Sequence, residues 1–256
     1  MIFKIYNYFF NNILFNNVLL FFKLDNKIFN FINPYNNYSP EKGKSLQEIA
    51  GYSHNNQINQ VLKKSHEDLS YAVNKYLNPG DKILDIGCGP GLFLTDFVNE
   101  YEIFGSDISE EMIKLAKKNT KSGVFFCGDF FKIDFPMKFN FIYCIGVLVY
   151  VPRSKIESFF EKVYDNLYEG GVFYLNYPHA LSIKDVFYGD ISYFQHSPKM
   201  IEKKAKLFFN IQKHQHAFDG RVIDNYDKSP YISINSNFDK TYKNSYLLIA
   251  KKTTIK

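Results

Sequence analysis

The chain contains no tryptophan, only three cysteines and, among its 31 basic residues, only two arginines, Arg153 and Arg221. Cys88, Cys127 and Cys144 stand near the ends of three expected core strands, with no pair spacing that suits zinc or a disulfide framework. They read as free, partly buried thiols of a reducing cytosol. The net charge of +5 rests on lysines scattered along the chain, with short clusters at Lys117-Lys118 and Lys203-Lys204. A nucleic-acid binder concentrates its charge in a patch or stripe, so the expectation is a solvated, lysine-rich surface. Long hydrophobic runs are missing too. Residues 1–34 are apolar and aromatic, but Asn7, Asn11, Asn12, Asn16 and Asn17 interrupt them. No stretch reaches the ~20 apolar residues that span a bilayer, and no small-residue cleavage site follows the apolar part. One or two amphipathic helices lying on the body of the protein are expected, with a membrane-surface helix as the alternative.

What is present is a large apolar fraction, 46% of 256 residues, enough for one domain with elaborations. Residues 33–45, "NPYNNYSPEKGKS", are rich in turn formers and read as a linker, which makes 1–44 an extension and 45–256 the main domain. Apolar spacing from Ser45 to Leu77 is helical, with a break near Gly51, and Pro79-Gly80 ends it. Strands and helices then alternate, which argues for a parallel sheet with helices on both faces. "KILDIG", "YEIFGSD", "GVFFCGD", "FNFIYCIGVL" and "VFYLNYP" are the expected strands. Helices are expected over 91–100, from an N-cap at Ser109 to about Asn119, and from Arg153 to Leu167, the last ended by Gly170-Gly171. "IQKHQHAF" and "YLLIAKK" read as an antiparallel pair at the sheet edge, separated by a long polar-aromatic insertion, 219–244.

Gly87, Gly89 and Gly91 crowd into "ILDIGCGPGLF" just where the first strand ends. Glycine adopts backbone angles that other residues avoid and lets a ligand approach the main chain. The spacing Gly-x-Gly-x-Gly departs from the dinucleotide fingerprint, which needs Gly or Ala where Leu92 stands, and the P-loop lysine is missing. Asp107 closes the second strand, where an acid can accept from both ribose hydroxyls. Asp129 closes the third, within reach of an exocyclic adenine amine. Three strand ends thus offer glycines and two acids along one edge, the edge where open α/β sheets bind ligands. The ligand this describes is an adenosine without a polyphosphate.

At these residues the chain resembles the class I S-adenosylmethionine-dependent methyltransferases, from about Ser45 to Lys252. "LDIGCGPGLF" is similar to the family's first motif, with Asp85 as its strand acid and Gly87, Cys88, Gly89 and Gly91 under the cofactor. "GSDISEEMIKLAKK" resembles the second, with Asp107 as ribose ligand and Ile108 and Met112 beside the adenosine. "CGDF" resembles the third, Asp129 and Phe130 flanking the adenine. "FNFIYCIGVLVYVP" resembles the fourth, with Cys144, Ile145 and Gly146 lining the methionine part. The resemblance implies a Rossmann-like seven-stranded sheet, mostly parallel with an antiparallel last strand, helices on both faces and a helical N-terminal cap. It implies S-adenosylmethionine as methyl donor, with no metal.

Because the sulfonium is already activated, the protein mainly positions and desolvates, and no recognisable catalytic residue is required. The candidates are His179, after the fifth strand; Tyr150, where many family members carry a polar pair; and Arg221, whose planar guanidinium suits a carboxylate or phosphate on the acceptor. A loop-bonding histidine and an ion pair with a nearby aspartate are the plainer readings of His179 and Arg221. Tyr226 and Tyr231 are candidates for the acceptor wall. His196 reads as a residue just before a helix cap at Ser197, and His214 and His216 as exposed strand residues. The amine-methylating signature of Asn or Asp followed by Pro-Pro-aromatic is absent after the fourth strand. The expected function is methylation, at oxygen first, of a small molecule or a glycan or lipid precursor. An RNA (tRNA) methyltransferase and a non-catalytic adenosyl-binding partner subunit stay open as alternatives.

Overall fold

Seven strands form one sheet in the computed structural model, which describes residues 44–45, 48, 56–178, 181–182, 196–217, 232–233 and 245–253. Residues 1–43 of the expected extension 1–44 and most of the insertion 219–244 lie outside the described residues. In chain order the strands are β1 (Lys82–Ile86), β2 (Glu102–Asp107), β3 (Val124–Cys127), β4 (Phe139–Ile145), β5 (Leu167–Pro178), β6 (Phe209–His216) and β7 (Ser245–Lys252). Their spatial order is β3-β2-β1-β4-β5-β7-β6. Strands β1 to β5 pair in parallel, and β7 runs antiparallel between β5 and β6. After β1 the chain winds outward through β2 and β3, then returns to the other side of β1 with β4. Between β1 and β4 lies the switch point where open α/β sheets form a binding crevice.

Among the described residues these helices accompany the sheet: α1 (Asn56–Tyr76), α2 (Glu110–Thr120), α3 (Ile156–Asn166) and α4 (Pro198–Ala205). Alternation along the strands divides the core between the two faces. Leu84, Ile86, Ile142, Phe173 and Leu175 pack with Phe159, Phe160 and Val163 of α3 and with Ile201 and Ala205 of α4. Ile83, Phe141, Tyr143 and Tyr174 point the other way, with Leu69 and Val73 of α1 and Ile113 and Ala116 of α2. Ser109 caps α2 as expected, its hydroxyl accepting from Met112 N at 3.3 Å, and Ser197 caps α4 in the same manner. No helix among the described residues is long and apolar enough to cross a membrane.

Three expected elements differ. The segment 91–100 is a run of turns around one 3-10 turn, Leu94–Asp96, and not a helix. Leu92, Phe93, Leu94 and Phe97 are all buried there. Three consecutive buried side chains cannot share one stripe of a regular helix, and the Thr95 hydroxyl, bonded to Leu92 O at 2.8 Å, further favours a tight turn. The helix expected from Arg153 begins with a 3-10 turn, Arg153–Lys155, and ends at Asn166. Gly170-Gly171 therefore do not end it. They lie inside β5, where the register with β4 shifts between Phe139 and Phe141 and Gly170 takes φ +77°.

Candidate functional site

The glycine turn leaves β1 with Gly87, Gly89 and Gly91 all at positive φ. Each position answers to a different neighbour. A Cβ on Gly87 would stand 2.2 Å from Val147 Cγ2, so this glycine lets the loop after β4 close against the turn. A Cβ on Gly91 would lie 3.2 Å from Ala116 Cα of α2. A Cβ on Gly89 would meet nothing within 4 Å, and the same holds for Gly146 at the end of β4. Both open positions lie at the strand ends that border the crevice between β1 and β4. Cys88 is buried beneath it.

Asp107 stands at the end of β2 and joins the turn to α2. Its Oδ2 accepts from Gly89 N and its Oδ1 from Ser109 N, both at 2.9 Å. Burial raises its pKa, and the amides of Ser109, Gly89 and Ile108 oppose that rise by favouring the carboxylate. Two bonds leave lone pairs on both oxygens for further donors. Ile108 is half-buried beside it, and Met112 is buried in the first turn of α2. Asp129 is half-buried and folds its own turn, Oδ1 accepting from Phe131 N at 3.1 Å. Phe130 packs on Phe159 with ring centroids 5.5 Å apart and carries Lys162 Nζ 5.8 Å from its ring.

On the β4 side Gly146 N donates to Asn176 O at 3.0 Å, and Ile145 is half-buried. The Cys144 side chain is fully buried in the α3 face of the core, so only its backbone borders the crevice. Tyr150 is half-buried at the end of the 3-10 turn Leu148–Tyr150, three residues beyond the Val147 that packs on Gly87. Asp85 stands on β1 beneath the turn, 3% exposed. Burial pushes its carboxyl up to about 8, and the charge of Asp107 adds to this. Tyr143, its in-register neighbour on β4, works in the other direction.

His179 and Arg221 lie outside the described residues, as do Tyr226 and Tyr231. His196 is buried, its Nε2 2.9 Å from Leu148 O, and thereby fixes the turn that carries Tyr150. His214 is not an exposed strand residue. Its side chain is 4% exposed, with Nε2 2.8 Å from the Tyr177 hydroxyl and Nδ1 3.1 Å from Glu202 Oε2. His216 lies beside it against the Tyr246 ring, centroids 4.8 Å apart. Alternation along β6 places both histidines on one face, but nothing in the sequence shows that α4 covers that face. Tyr143 and His214 are the polar residues that sequence reasoning passed over. No group of three or more His, Cys, Asp or Glu among the described residues could hold a metal ion.

Two glycines with open space beyond them, a carboxylate held by backbone amides and a half-buried acid and phenylalanine at the next strand end fit an adenosine with an amino-acid tail. Comparison with known proteins points to the same class of ligand. Residues 83–171 match the family described as Methyltransferase domain. The carboxy-S-adenosyl-L-methionine synthase of Nautilia profundicola is 27% identical over 146 residues, 53% of this chain and 62% of that protein. The sterol 24-C-methyltransferase of Candida albicans is 32% identical over 124 residues, 44% of this chain and 32% of that protein. The chain thus spans less than two thirds of the length of either relative. Magnesium protoporphyrin IX methyltransferase from Synechocystis PCC 6803, solved with bound SAH, shares the fold at a TM-score of 0.58 and 17% identity, over 81% of this chain and 92% of that one.

Proposed function

Residues 83–171 belong to the methyltransferase-domain family, and from that premise we propose that the chain is a class I S-adenosylmethionine-dependent methyltransferase that methylates a small molecule or a glycan or lipid precursor. The observation that carries this reading is the glycine turn with Asp107 bonded to it. Gly89 and Gly146 face open space at the crevice while Asp107 spends both oxygens on the amides around them. That arrangement leaves the main chain bare for a ligand and keeps a carboxylate in place for a sugar.

When bound, S-adenosylmethionine supplies a methyl group already activated by a sulfonium charge. The chain's own residues have the remaining tasks. Asp107 accepts from the ribose hydroxyls through the lone pairs its amide bonds leave free. Ile108, Met112, Asp129 and Phe130 border the adenine, and Gly87, Cys88, Gly89, Gly91 and the backbone from Cys144 to Gly146 border the amino-acid tail. Holding acceptor and donor in line supplies about 7–11 kcal/mol of the barrier reduction, and a general base adds ~10²–10⁴-fold only where the acceptor is protonated. Tyr150, His179 and Arg221 are the residues we propose for that side of the site. Oxygen is the acceptor atom we propose, because Gly146-Val147-Leu148-Val149 after β4 lacks the Asn/Asp-Pro-Pro-aromatic sequence of amine methylation. If the apolar 1–34 segment takes the membrane-surface alternative, a lipid-linked precursor is the acceptor we propose.

Calorimetry with S-adenosylmethionine and S-adenosylhomocysteine on the wild type and on Asp107→Ala tests the cofactor part. Micromolar binding by the wild type, weakened at least tenfold in the variant without loss of cooperative unfolding, is the expected result. A folded wild type that binds neither compound overturns the reading.

A further inference from the structure

Asp85 and Tyr143 are direct neighbours in the parallel register of β1 and β4, on the same face of the sheet and under the glycine turn. Tyr143 is fully buried, and its hydroxyl makes no hydrogen bond of ordinary geometry among the described residues. Yet it stands near enough to Asp85 for each group to shift the other. Buried hydroxyls are nearly always bonded, and a phenylalanine would fill this space without a polar atom to satisfy. The tyrosine therefore points to a state in which its O–H has an acceptor.

The groups around Asp85 narrow that state down. Tyr143 faces it from β4, the Cys88 thiol from the glycine turn and Asp107 from β2. Asp96 of the 3-10 turn lies further off and is paired with His66 of α1 at 2.6 Å. None of these neighbours is a cation. Among the described residues, then, no cation faces a carboxylate here, and both S-adenosylmethionine and S-adenosylhomocysteine carry an ammonium group on the amino-acid tail that would supply the counter-charge.

We propose that Tyr143 is a positioning residue for the cofactor: its hydroxyl donates to one oxygen of the Asp85 carboxylate and so aims the other at the ligand's ammonium group. This rests on the cofactor reading given above. In the free protein Asp85 holds its proton up to about pH 8, so binding at neutral pH expels that proton. The Tyr143 hydroxyl then finds its acceptor, and the bond to a charged group is stronger than one between neutral groups.

The test is calorimetric binding of S-adenosylhomocysteine between pH 6 and 9 to the wild type, Tyr143→Phe, Asp85→Asn and the double variant, with thermal unfolding of each as a check on folding. Wild-type affinity should rise with pH until Asp85 is ionised in the free protein. In Tyr143→Phe, affinity at pH 7 should fall on the order of tenfold, and the midpoint of the rise should move to higher pH. Asp85→Asn should flatten the profile, and adding Tyr143→Phe to it should cost nothing more. An unchanged profile in Tyr143→Phe, or an equal loss in the Asp85→Asn background, overturns the proposal while leaving the cofactor site standing. A wild type that binds no S-adenosylhomocysteine overturns both. A carboxyl titration of Asp85 in the ligand-free protein that is no higher in Tyr143→Phe also counts against it.

Discussion

Gly87 and Gly89 share a left-handed backbone, at φ +73° and +50°, and differ in what surrounds them. Alanine at either position meets the left-handed strain of about 1–2 kcal/mol. At Gly87 it also meets Val147, so Gly87→Ala should lower Tm more than Gly89→Ala. At Gly89 the added methyl projects into open space at the proposed cofactor site, so a modest loss of stability should accompany a large loss of S-adenosylhomocysteine affinity. Thermal unfolding and calorimetry on the pair check this, and a Gly89→Ala protein that binds like the wild type would mean the ligand does not pass there. Asp85 gives a pH-dependent contrast. Its folded pKa of about 8 lies above the ordinary 3.8, so the native state holds the proton more tightly than the unfolded chain. Its contribution to stability is full below about pH 4, is lost progressively as pH rises, and is gone above 8. Asp85→Asn removes that titration. The variant's Tm advantage over the wild type should be smallest at pH 4 and reach its plateau above pH 8, measured as a difference at each pH.

At the scale of elements, α2 shows how a local signal survives into the fold. Ser109 before Glu110-Glu111, with Lys117-Lys118 in the last turn, is a complete set of helix-end signals. Ser109→Ala should cost about 1 kcal/mol in denaturant unfolding. It should weaken S-adenosylhomocysteine binding far less than Asp107→Ala, because the substitution keeps both the Asp107 carboxylate and the Ser109 backbone N–H that donates to it. Such signals are local, which is why the strand-turn-helix order, the glycine turn and the cap were legible in sequence. The rest depended on tertiary context. Leu92, Phe93 and Leu94 looked like part of an apolar helix because a sequence does not reveal that all three are buried at once. Gly170-Gly171 looked like a helix stop, but the β4–β5 register shift claims them. His214 looked exposed because its bonds run to Tyr177 on β5 and Glu202 on α4, each distant along the chain. Tyr143 read as one more apolar strand residue, since only the register with β1 sets it beside Asp85.

At the scale of the molecule, the parts that hold the cofactor and the parts that hold the fold come from different stretches of chain. Every proposed cofactor contact lies between Asp85 and Gly146, on β1 to β4 and their turns. The sheet, however, is completed by β7, the last strand in the chain and an interior strand in space, paired with β5 on one side and β6 on the other. Seven of its eight residues, Ser245 to Ala250 and Lys252, are buried. Lys252 adds a clamp: its Nζ donates to Tyr164 O at 2.8 Å and Leu167 O at 3.1 Å and lies 4.0 Å from the centre of the Tyr164 ring. These contacts join residues more than eighty positions apart, so α3 and β5 reach their final packing only once the chain's end is in place. Ending the chain after residue 244 should therefore leave β5 with an unpaired edge and β6 without a neighbour. The expected outcome is loss of the cooperative urea transition followed by circular dichroism, together with loss of S-adenosylhomocysteine binding, although every proposed cofactor contact is still present. A shortened chain that unfolds cooperatively and binds like the full one would mean instead that β1 to β5 form a self-sufficient unit, and that the antiparallel strands serve the acceptor side alone.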